Sequence, residues 1–295
     1  MIQSTNKILV PIDFSEQSLI ALEQSYNLAR EYNAEITLLH VIEESSMLTK
    51  FFSNQQHDDV KKNVQKELDK LAVDVTKKAK IVVNTLVAKG SIYEKVAEVA
   101  ELINATFIVM GTNGDDGKRK RFIGSNALRV VRESAVPVIT IKGKHHRKGC
   151  KNIVLPLDLS KETREKVTKA IELSKLFGGA TIRVVSVLFT TDEFVVNRLT
   201  RQLGQVKAFL EKEEIECTAE IIKGIKGEET LAENILEYAV KVEGDLIMIM
   251  TQQEVDFTQY FIGSSAQEII NHSVIPVLSI RPSNKKDTTL FPNPY

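Results

Sequence analysis

The chain has 295 residues, of which 43% are hydrophobic and 26% are charged, a composition typical of globular proteins. Its 39 basic and 39 acidic residues give a formal net charge of zero, which excludes a global electrostatic footprint for nucleic acid or an anionic membrane. Two cysteines, Cys150 and Cys217, are too few for a disulfide framework. Because we find no signal-peptide pattern and no apolar run of membrane-spanning length, we expect a cytoplasmic protein without a membrane partner.

The first half of the chain alternates predicted strands and helices. Residues 7–12 form a continuous apolar run, the pattern of a strand buried on both faces of a parallel sheet. Ser15 is a candidate N-cap for the helix that follows, and a second strand ends at His40 and Val41. The later elements are a long amphipathic helix from Val60 to Val75, a strand over 81–87, a helix from Ile92 to Ile103 and a strand over 107–110. This alternation predicts right-handed crossovers and a parallel sheet with helices on both sides.

A glycine-rich stretch follows the fourth predicted strand and leads into a helix near Asn126. Its distinctive feature is the spacing of its glycines, which is Gly111, two residues, Gly114, nine residues, Gly124, then Ser125. The stretch matches neither the dinucleotide-binding fingerprint nor the Walker A loop. Exposed backbone N–H groups and a helix N-terminus nevertheless suit a phosphate. The stretch therefore predicts a nucleotide site at the carboxyl ends of the strands, where Asp13 opens onto the same crevice.

The second half of the chain repeats the first. Residues 7–15 recur as residues 152–160, with the same strand ending in Pro, an aliphatic residue and Asp. The match continues in order between residues 36–41 and 182–187, 122–125 and 261–264, and 136–138 and 275–277. Two copies of one domain therefore lie in tandem, over residues 1–143 and 151–283, joined by a short basic linker.

These features together resemble the universal stress protein family, and specifically its ATP-binding branch. The resemblance rests on the glycine spacing, the duplicated first strand and the later Val136-Pro137-Val138 segment, and it covers nearly the whole chain. It implies an α/β fold of two tandem Rossmann-like domains of the adenine nucleotide alpha hydrolase-like type. Each domain would be a five-stranded parallel sheet of order 3-2-1-4-5 flanked by helices.

The same resemblance implies an ATP site in the first domain. Asp13 would lie near the base and ribose, the backbone of Val41 would contact the adenine, and the amide of Asn126 would help the glycines to cradle ribose and phosphates. The predicted ligand is ATP, with or without Mg²⁺, and no catalytic or metal-ligating residue is predicted. The complete predicted set is Pro11, Asp13, Val41, Met110, Gly111, Gly114, Gly124, Ser125 and Asn126.

The second copy departs from this pattern at the glycines. Met250 stands opposite Gly111 and Gln253 stands opposite Gly114, although the later Gly-Ser pair remains. A methionine side chain at this turn would fill the space that a phosphate or ribose needs, and backbone conformations open to glycine become costly. We therefore predict one nucleotide site, in the first domain, with the second domain as scaffold or pseudo-partner.

Plainer interpretations of these residues stay open. The glycines could serve only the turn, and Asp13 could only cap the helix that begins near Ser15. The basic run over residues 118–121 could steer phosphates or form a solvated surface. No aromatic residue interleaves with this run, so we expect no nucleic-acid partner.

Three functions compete at this point. The first is ATP binding by a stress-response or regulatory protein, and the second is a structural or interaction module that binds no nucleotide. The third is a slow ATP hydrolase, but no nucleophile with a base and no carboxylate cluster accompanies the glycine stretch, so we predict no enzyme. The segment over residues 136–138 implies an edge strand for dimer contact, which predicts an intramolecular pseudo-dimer of the two domains and leaves a homodimer open.

Overall fold

A computed structural model describes residues 6–43, 54–112, 124–142, 144, 149–157, 163–253, 260–261 and 263–282. The chain divides into two compact units, residues 1–146 and 147–295. Gly114, the basic run over 118–121, most of the predicted linker and Asp158 lie outside the described residues. Among the helices that are described, none is long and apolar enough to cross a membrane.

The first unit is a parallel sheet with helical crossovers. Its elements are β1 (Asn6–Pro11), α1 (Glu16–Glu31), β2 (Ala34–Ile42), α2 (Asn54–Ala79), β3 (Val83–Lys89), α3 (Ile92–Leu102), β4 (Phe107–Gly111), α4 (Ser125–Glu133) and β5 (Val138–Ile141). The strands pair in parallel in the order β3-β2-β1-β4-β5, which confirms the predicted order 3-2-1-4-5. The chain crosses the sheet in one direction from β1 to β3 and in the opposite direction from β3 to β5. Because each connection is right-handed, α1 and α2 lie on one face of the sheet and α3 and α4 lie on the other.

The second unit repeats this topology. Its elements are β6 (Asn152–Pro156), α5 (Thr163–Leu176), β7 (Thr181–Leu188), α6 (Glu193–Lys212), β8 (Cys217–Lys223), α7 (Leu231–Lys241), β9 (Leu246–Met250), β10 (Gln252–Gln253), β11 (Tyr260–Phe261), α8 (Ser264–His272) and β12 (Val277–Ile280). The parallel order is β8-β7-β6-β9-β12, again 3-2-1-4-5 within the unit. The short antiparallel pair of β10 and β11 was not predicted from the sequence.

The burial of the central strands explains why they could be predicted from apolar runs in the sequence. Ile8, Leu9 and Val10 of β1 are fully buried, as expected for a strand covered by helices on both faces. The edge strand β3 instead alternates between exposed and half-buried residues, and it covers 83–89 rather than the predicted 81–87. An edge strand has a neighbour on one side only, so its apolar pattern is weaker and its bounds are harder to predict.

Candidate functional site

A cavity of about 220 Å³ lies at the carboxyl edge of the first unit's sheet. It opens between the ends of β1, β2 and β4 and the first turns of α3 and α4, where the direction of the crossovers reverses. Its lining contains Pro11, Asp13, Val41, Met110, Gly111, Gly124, Ser125 and Asn126. The fold therefore brings eight of the nine predicted site residues together, and Gly114 is outside the described residues.

Asp13 lies exposed at the rim of this cavity and helps to start helix α1. One of its carboxylate oxygens, Oδ1, accepts a hydrogen bond from the backbone N–H of Ser15 at 2.9 Å. Ser15 is the N-cap, and its hydroxyl accepts from the N–H of Ser18 at 3.2 Å. Ser15, rather than Asp13, is thus the N-cap, and Asp13 holds the turn that precedes it. Within the described part of the chain its other oxygen, Oδ2, makes no hydrogen bond that would compete with a ligand.

His40 and Phe14 form an aromatic pair beside Asp13 that the predicted site did not include. His40 lines the cavity, and its Nδ1 donates to the carbonyl oxygen of Ile12 at 2.7 Å, which requires a proton on Nδ1. The His40 ring lies 5.5 Å from the Phe14 ring, centroid to centroid. Phe14 has φ 64°, a left-handed conformation that costs an L residue about 1–2 kcal/mol. No pattern in the sequence signals this pairing, because it joins the end of β1 to the end of β2.

The first turn of α4 forms the opposite wall of the cavity. Gly124 is the N-cap of α4, and as a glycine it has no side chain to cap the first turn. The backbone N–H of Gly124 donates to the carbonyl oxygen of Thr112 at 2.5 Å, which holds the start of the helix against the end of β4. The free N–H groups of a first helical turn and the helix dipole attract anions, so this wall suits a phosphate or carboxylate.

Gly111 allows α1 to pack closely against β4. From the sequence alone, this glycine is instead explained by its backbone conformation and by a bound ligand. Its backbone is not in the left-handed region. A Cβ at this position would lie 2.8 Å from Gln17 Cγ and 2.9 Å from the backbone oxygen of Gln17, so glycine lets α1 approach β4. Gln17 then donates from Nε2 to the carbonyl oxygen of Ile141 at 2.8 Å. A side chain at Gly111 would therefore collide with α1.

The second unit keeps the geometry of this edge but changes its chemistry. Met250 pairs with Ile280 as Gly111 pairs with Ile141, and its side chain is buried. Ser186 takes the position of His40, and its hydroxyl donates to the carbonyl oxygen of Leu157 at 2.6 Å. Gln253, opposite Gly114, pairs with Tyr260 in the ladder of β10 and β11. The backbone at Gln253 is therefore part of a two-stranded ladder in the second unit.

The positions of the described His, Cys, Asp and Glu residues limit how a metal ion could be bound. None of their His, Cys, Asp and Glu side chains come together in a group of three or more that could hold a metal ion. A Mg²⁺ ion at the first site would therefore need phosphate oxygens as its main ligands, with the Asp13 carboxylate as the one acidic side chain on the described cavity wall.

The family model and the similar proteins all point to one family. The model of the Universal stress protein family matches residues 4–142 and again residues 149–281. Universal stress protein YxiE of Bacillus subtilis is 31% identical over 146 residues, which are 46% of this chain and 99% of the relative. Universal stress protein MJ0531 of Methanocaldococcus jannaschii is 30% identical over 138 residues, which are 46% of this chain and 81% of the relative. Each relative therefore corresponds to one of the two copies.

Solved structures extend the likeness over both copies. A universal stress protein from Archaeoglobus fulgidus superposes with a TM-score of 0.75 at 22% identity, over 96% of this chain and 98% of that one. A structure described as a putative universal stress protein from Pseudomonas aeruginosa gives a TM-score of 0.65 at 17% identity, over 94% of each chain. At these identities the likeness shows the fold alone.

Proposed function

The chain belongs to the universal stress protein family as a tandem two-domain member, and we propose that its first unit binds ATP or a related adenine nucleotide as a regulatory module of the stress response. The observation that carries this proposal is the convergence of eight predicted residues, from four separate stretches of sequence, on one cavity. That cavity lies where ligands bind in open parallel sheets.

The shape of the cavity suggests how the nucleotide would lie. A volume of about 220 Å³ is below the roughly 300–1,000 Å³ usual for complete ligand sites, so the adenine and ribose would lie inside it. Pro11 and the backbone of Val41 would contact the base, and Asp13 would accept hydrogen bonds from the ribose hydroxyls. The phosphates would then extend along the first turn of α4, at Ser125 and Asn126.

Calorimetric titration of the whole chain with ATP tests the proposal. We expect saturation at one equivalent, because the second unit carries the buried Met250 at the position where Gly111 lines the proposed site. Two equal sites would contradict the single-site proposal. No binding of ATP, together with no nucleotide in the denatured protein by mass spectrometry, would instead favour an interaction module that binds no nucleotide.

Turnover distinguishes a binding protein from an enzyme. We expect the bound ATP to persist, because no nucleophile with a base and no carboxylate cluster accompanies the glycine stretch in the sequence. Hydrolysis at roughly 1 per second or faster would contradict this and would make the protein an ATPase. The measurement is release of inorganic phosphate by protein that is saturated with ATP and Mg²⁺.

A further inference from the structure

The second unit has a cavity of its own, and it is larger than the cavity of the first unit. Its volume is about 470 Å³, against about 220 Å³ in the first unit, and it lies at the carboxyl edge of the second sheet. This volume falls within the usual range for a bound small molecule. The ends of β6, β7 and β9 and the starts of α7 and α8 form its walls, so it corresponds in position to the proposed nucleotide site.

The walls of this cavity are mainly aliphatic. The residues that line it include Leu157, Val187, Leu231, Ile235, Met250 and Ile269. The replacement of Gly111 by Met250 adds to this apolar surface, because the Met250 side chain is buried at the equivalent position. Covering aliphatic surface gains free energy, whereas desolvating a polar group costs free energy. The cavity therefore suits a hydrocarbon body better than a ribose triphosphate.

The polar side chains of the described lining offer a ligand hydrogen bonds but no free charge. Ser186 donates its hydroxyl hydrogen to the carbonyl oxygen of Leu157 at 2.6 Å, so it can only accept from a ligand. Lys166 is the one charged residue in the described lining, and it already has an interaction partner within the protein. Ser264 and Ser265, at the start of α8, add uncharged hydroxyls at one end of the cavity. An ionic group would therefore lose its hydration here without gaining a free counter-charge, whereas a hydroxyl would find hydrogen-bond partners.

The loops that follow β7 and β8 are also more apolar than their counterparts in the first unit. Phe189 directly follows β7, and its ring lies against Gly224, where an added Cβ would be 2.3 Å from the ring carbon Cε1. Ile225 comes next to Gly224 in the chain and is 52% exposed. The first unit has the polar residues Glu43 and Ser91 at these two positions. The second unit therefore presents apolar groups at the same edge of the sheet as its aliphatic cavity.

We propose that the second unit binds an uncharged small molecule that is mainly hydrocarbon and has one polar end, of the chemical class of a medium-chain alcohol. The hydrocarbon chain would lie against the aliphatic walls, and the hydroxyl would form hydrogen bonds at the start of α8. This site is separate from the proposed nucleotide site and does not depend on it. It gives the second copy a binding function that differs from that of the first unit.

Decan-1-ol is the test probe, and calorimetric titration of the whole chain is the measurement. We expect decan-1-ol to bind at one equivalent and to stay bound when ATP is added. Decanoate has the same chain length and is ionised at neutral pH, so it should bind roughly tenfold more weakly, because its carboxylate loses hydration without finding a free cation. Equal or tighter binding of decanoate would overturn the preference for an uncharged ligand.

A series of shorter alcohols tests whether the hydrocarbon chain is buried. Each methylene removed, from decan-1-ol to nonan-1-ol and octan-1-ol, should weaken binding roughly fourfold if it lies against the aliphatic walls. An affinity that does not depend on chain length would overturn the proposal, because it would place the chain outside the cavity. The series uses the unaltered protein, so its result does not depend on the folding of any variant.

A matched pair of tryptophan substitutions locates the site. Leu231 and Ile92 are each half-buried, begin equivalent helices and line the cavity of their own unit. Leu231→Trp should abolish decan-1-ol binding, with hydrogen exchange in β6 and β9 as the check that the variant folds, whereas Ile92→Trp should leave decan-1-ol binding intact. Decan-1-ol that is displaced by ATP, or binding that survives Leu231→Trp, would overturn the proposal. Because decan-1-ol is titrated without ATP, a failure of ATP to bind would contradict the proposed function alone.

Discussion

Asp13 holds the turn before α1 and also lines the cavity of the proposed nucleotide site. Its Oδ1 accepts the N–H of Ser15 at the start of α1, while the carboxylate lies on the cavity rim. The sequence repeats this aspartate in the second copy, where no nucleotide site is predicted, so its presence does not by itself indicate a ligand. The two roles can be separated, because an asparagine keeps one side-chain acceptor and removes the charge.

Asp13→Asn should preserve stability and weaken ATP binding. The amide oxygen can still accept the Ser15 N–H, so we expect the free energy of unfolding to change by less than about 0.5 kcal/mol. Loss of the charged acceptor should weaken ATP roughly tenfold, since hydrogen bonds to charged groups contribute about 1.5–3 kcal/mol. Asp13→Ala, as the comparison, should lose both the affinity and about 1 kcal/mol of stability. If the affinity for ATP were unchanged in Asp13→Asn, the role of Asp13 would be limited to its contact with Ser15 at the start of α1.

Gly111 and Gly204 give opposite predictions for the same substitution. A Cβ at Gly111 would lie within 3.0 Å of the Gln17 backbone, so Gly111→Ala should destabilise the first unit by about 1–3 kcal/mol. Gly204 lies exposed inside α6 with open space around it, so Gly204→Ala should stabilise the second unit by about 1 kcal/mol. Hydrogen exchange in β4 and in α6 measures each effect. A neutral Gly111→Ala would contradict the packing role.

At the scale of elements, the two copies start the same helix in different ways. In α7, the Thr230 hydroxyl accepts the N–H of Glu233 at 3.1 Å and the Glu233 carboxylate accepts the N–H of Thr230 at 2.8 Å, a complete capping box. In α3, the equivalent Ser91 makes no side-chain cap bond. Duplication has thus kept the helix while its local stabilisation has diverged.

Thr230→Ala should therefore cost more than Ser91→Ala. We expect a loss of about 1 kcal/mol at α7, because the substitution leaves the first-turn N–H of Glu233 without its acceptor. At α3 the change should stay within about 0.5 kcal/mol. Hydrogen exchange of the first-turn amides of each helix provides the measurement. Equal losses at the two helices would show that the capping box does not stabilise α7.

At the scale of the whole molecule, the proposed single nucleotide site predicts that the two units respond differently to ATP. At a free concentration of 100 times its Kd, ATP should stabilise the first unit by about 2.7 kcal/mol. Hydrogen exchange followed by mass spectrometry should show slower exchange in peptides of β1, β4 and α4. Peptides of β6, β9 and α8 should exchange as in the free protein. Equal protection in both units would contradict a single site.

The sequence by itself determined the tandem α/β fold, and through the family resemblance the strand order. Continuous apolar runs identify buried parallel strands, because each run lies within one local segment. The glycine spacing and the repeat identify the family, because both can be seen by comparing segments of the sequence. The same signals placed β3 two residues early, where an edge strand is only half covered.

Only the tertiary structure decided what individual residues contact. Gly111 meets Gln17 across the space between strand and helix, and Phe14 meets His40 across two strands. Local periodicity reports whether a residue is buried, whereas its partner is set by how distant segments pack. For the same reason, the sequence showed only that the second copy had lost two glycines. The packed structure showed that the second unit has a cavity at the equivalent edge of its sheet, with mainly aliphatic walls and a larger volume than the cavity of the first unit.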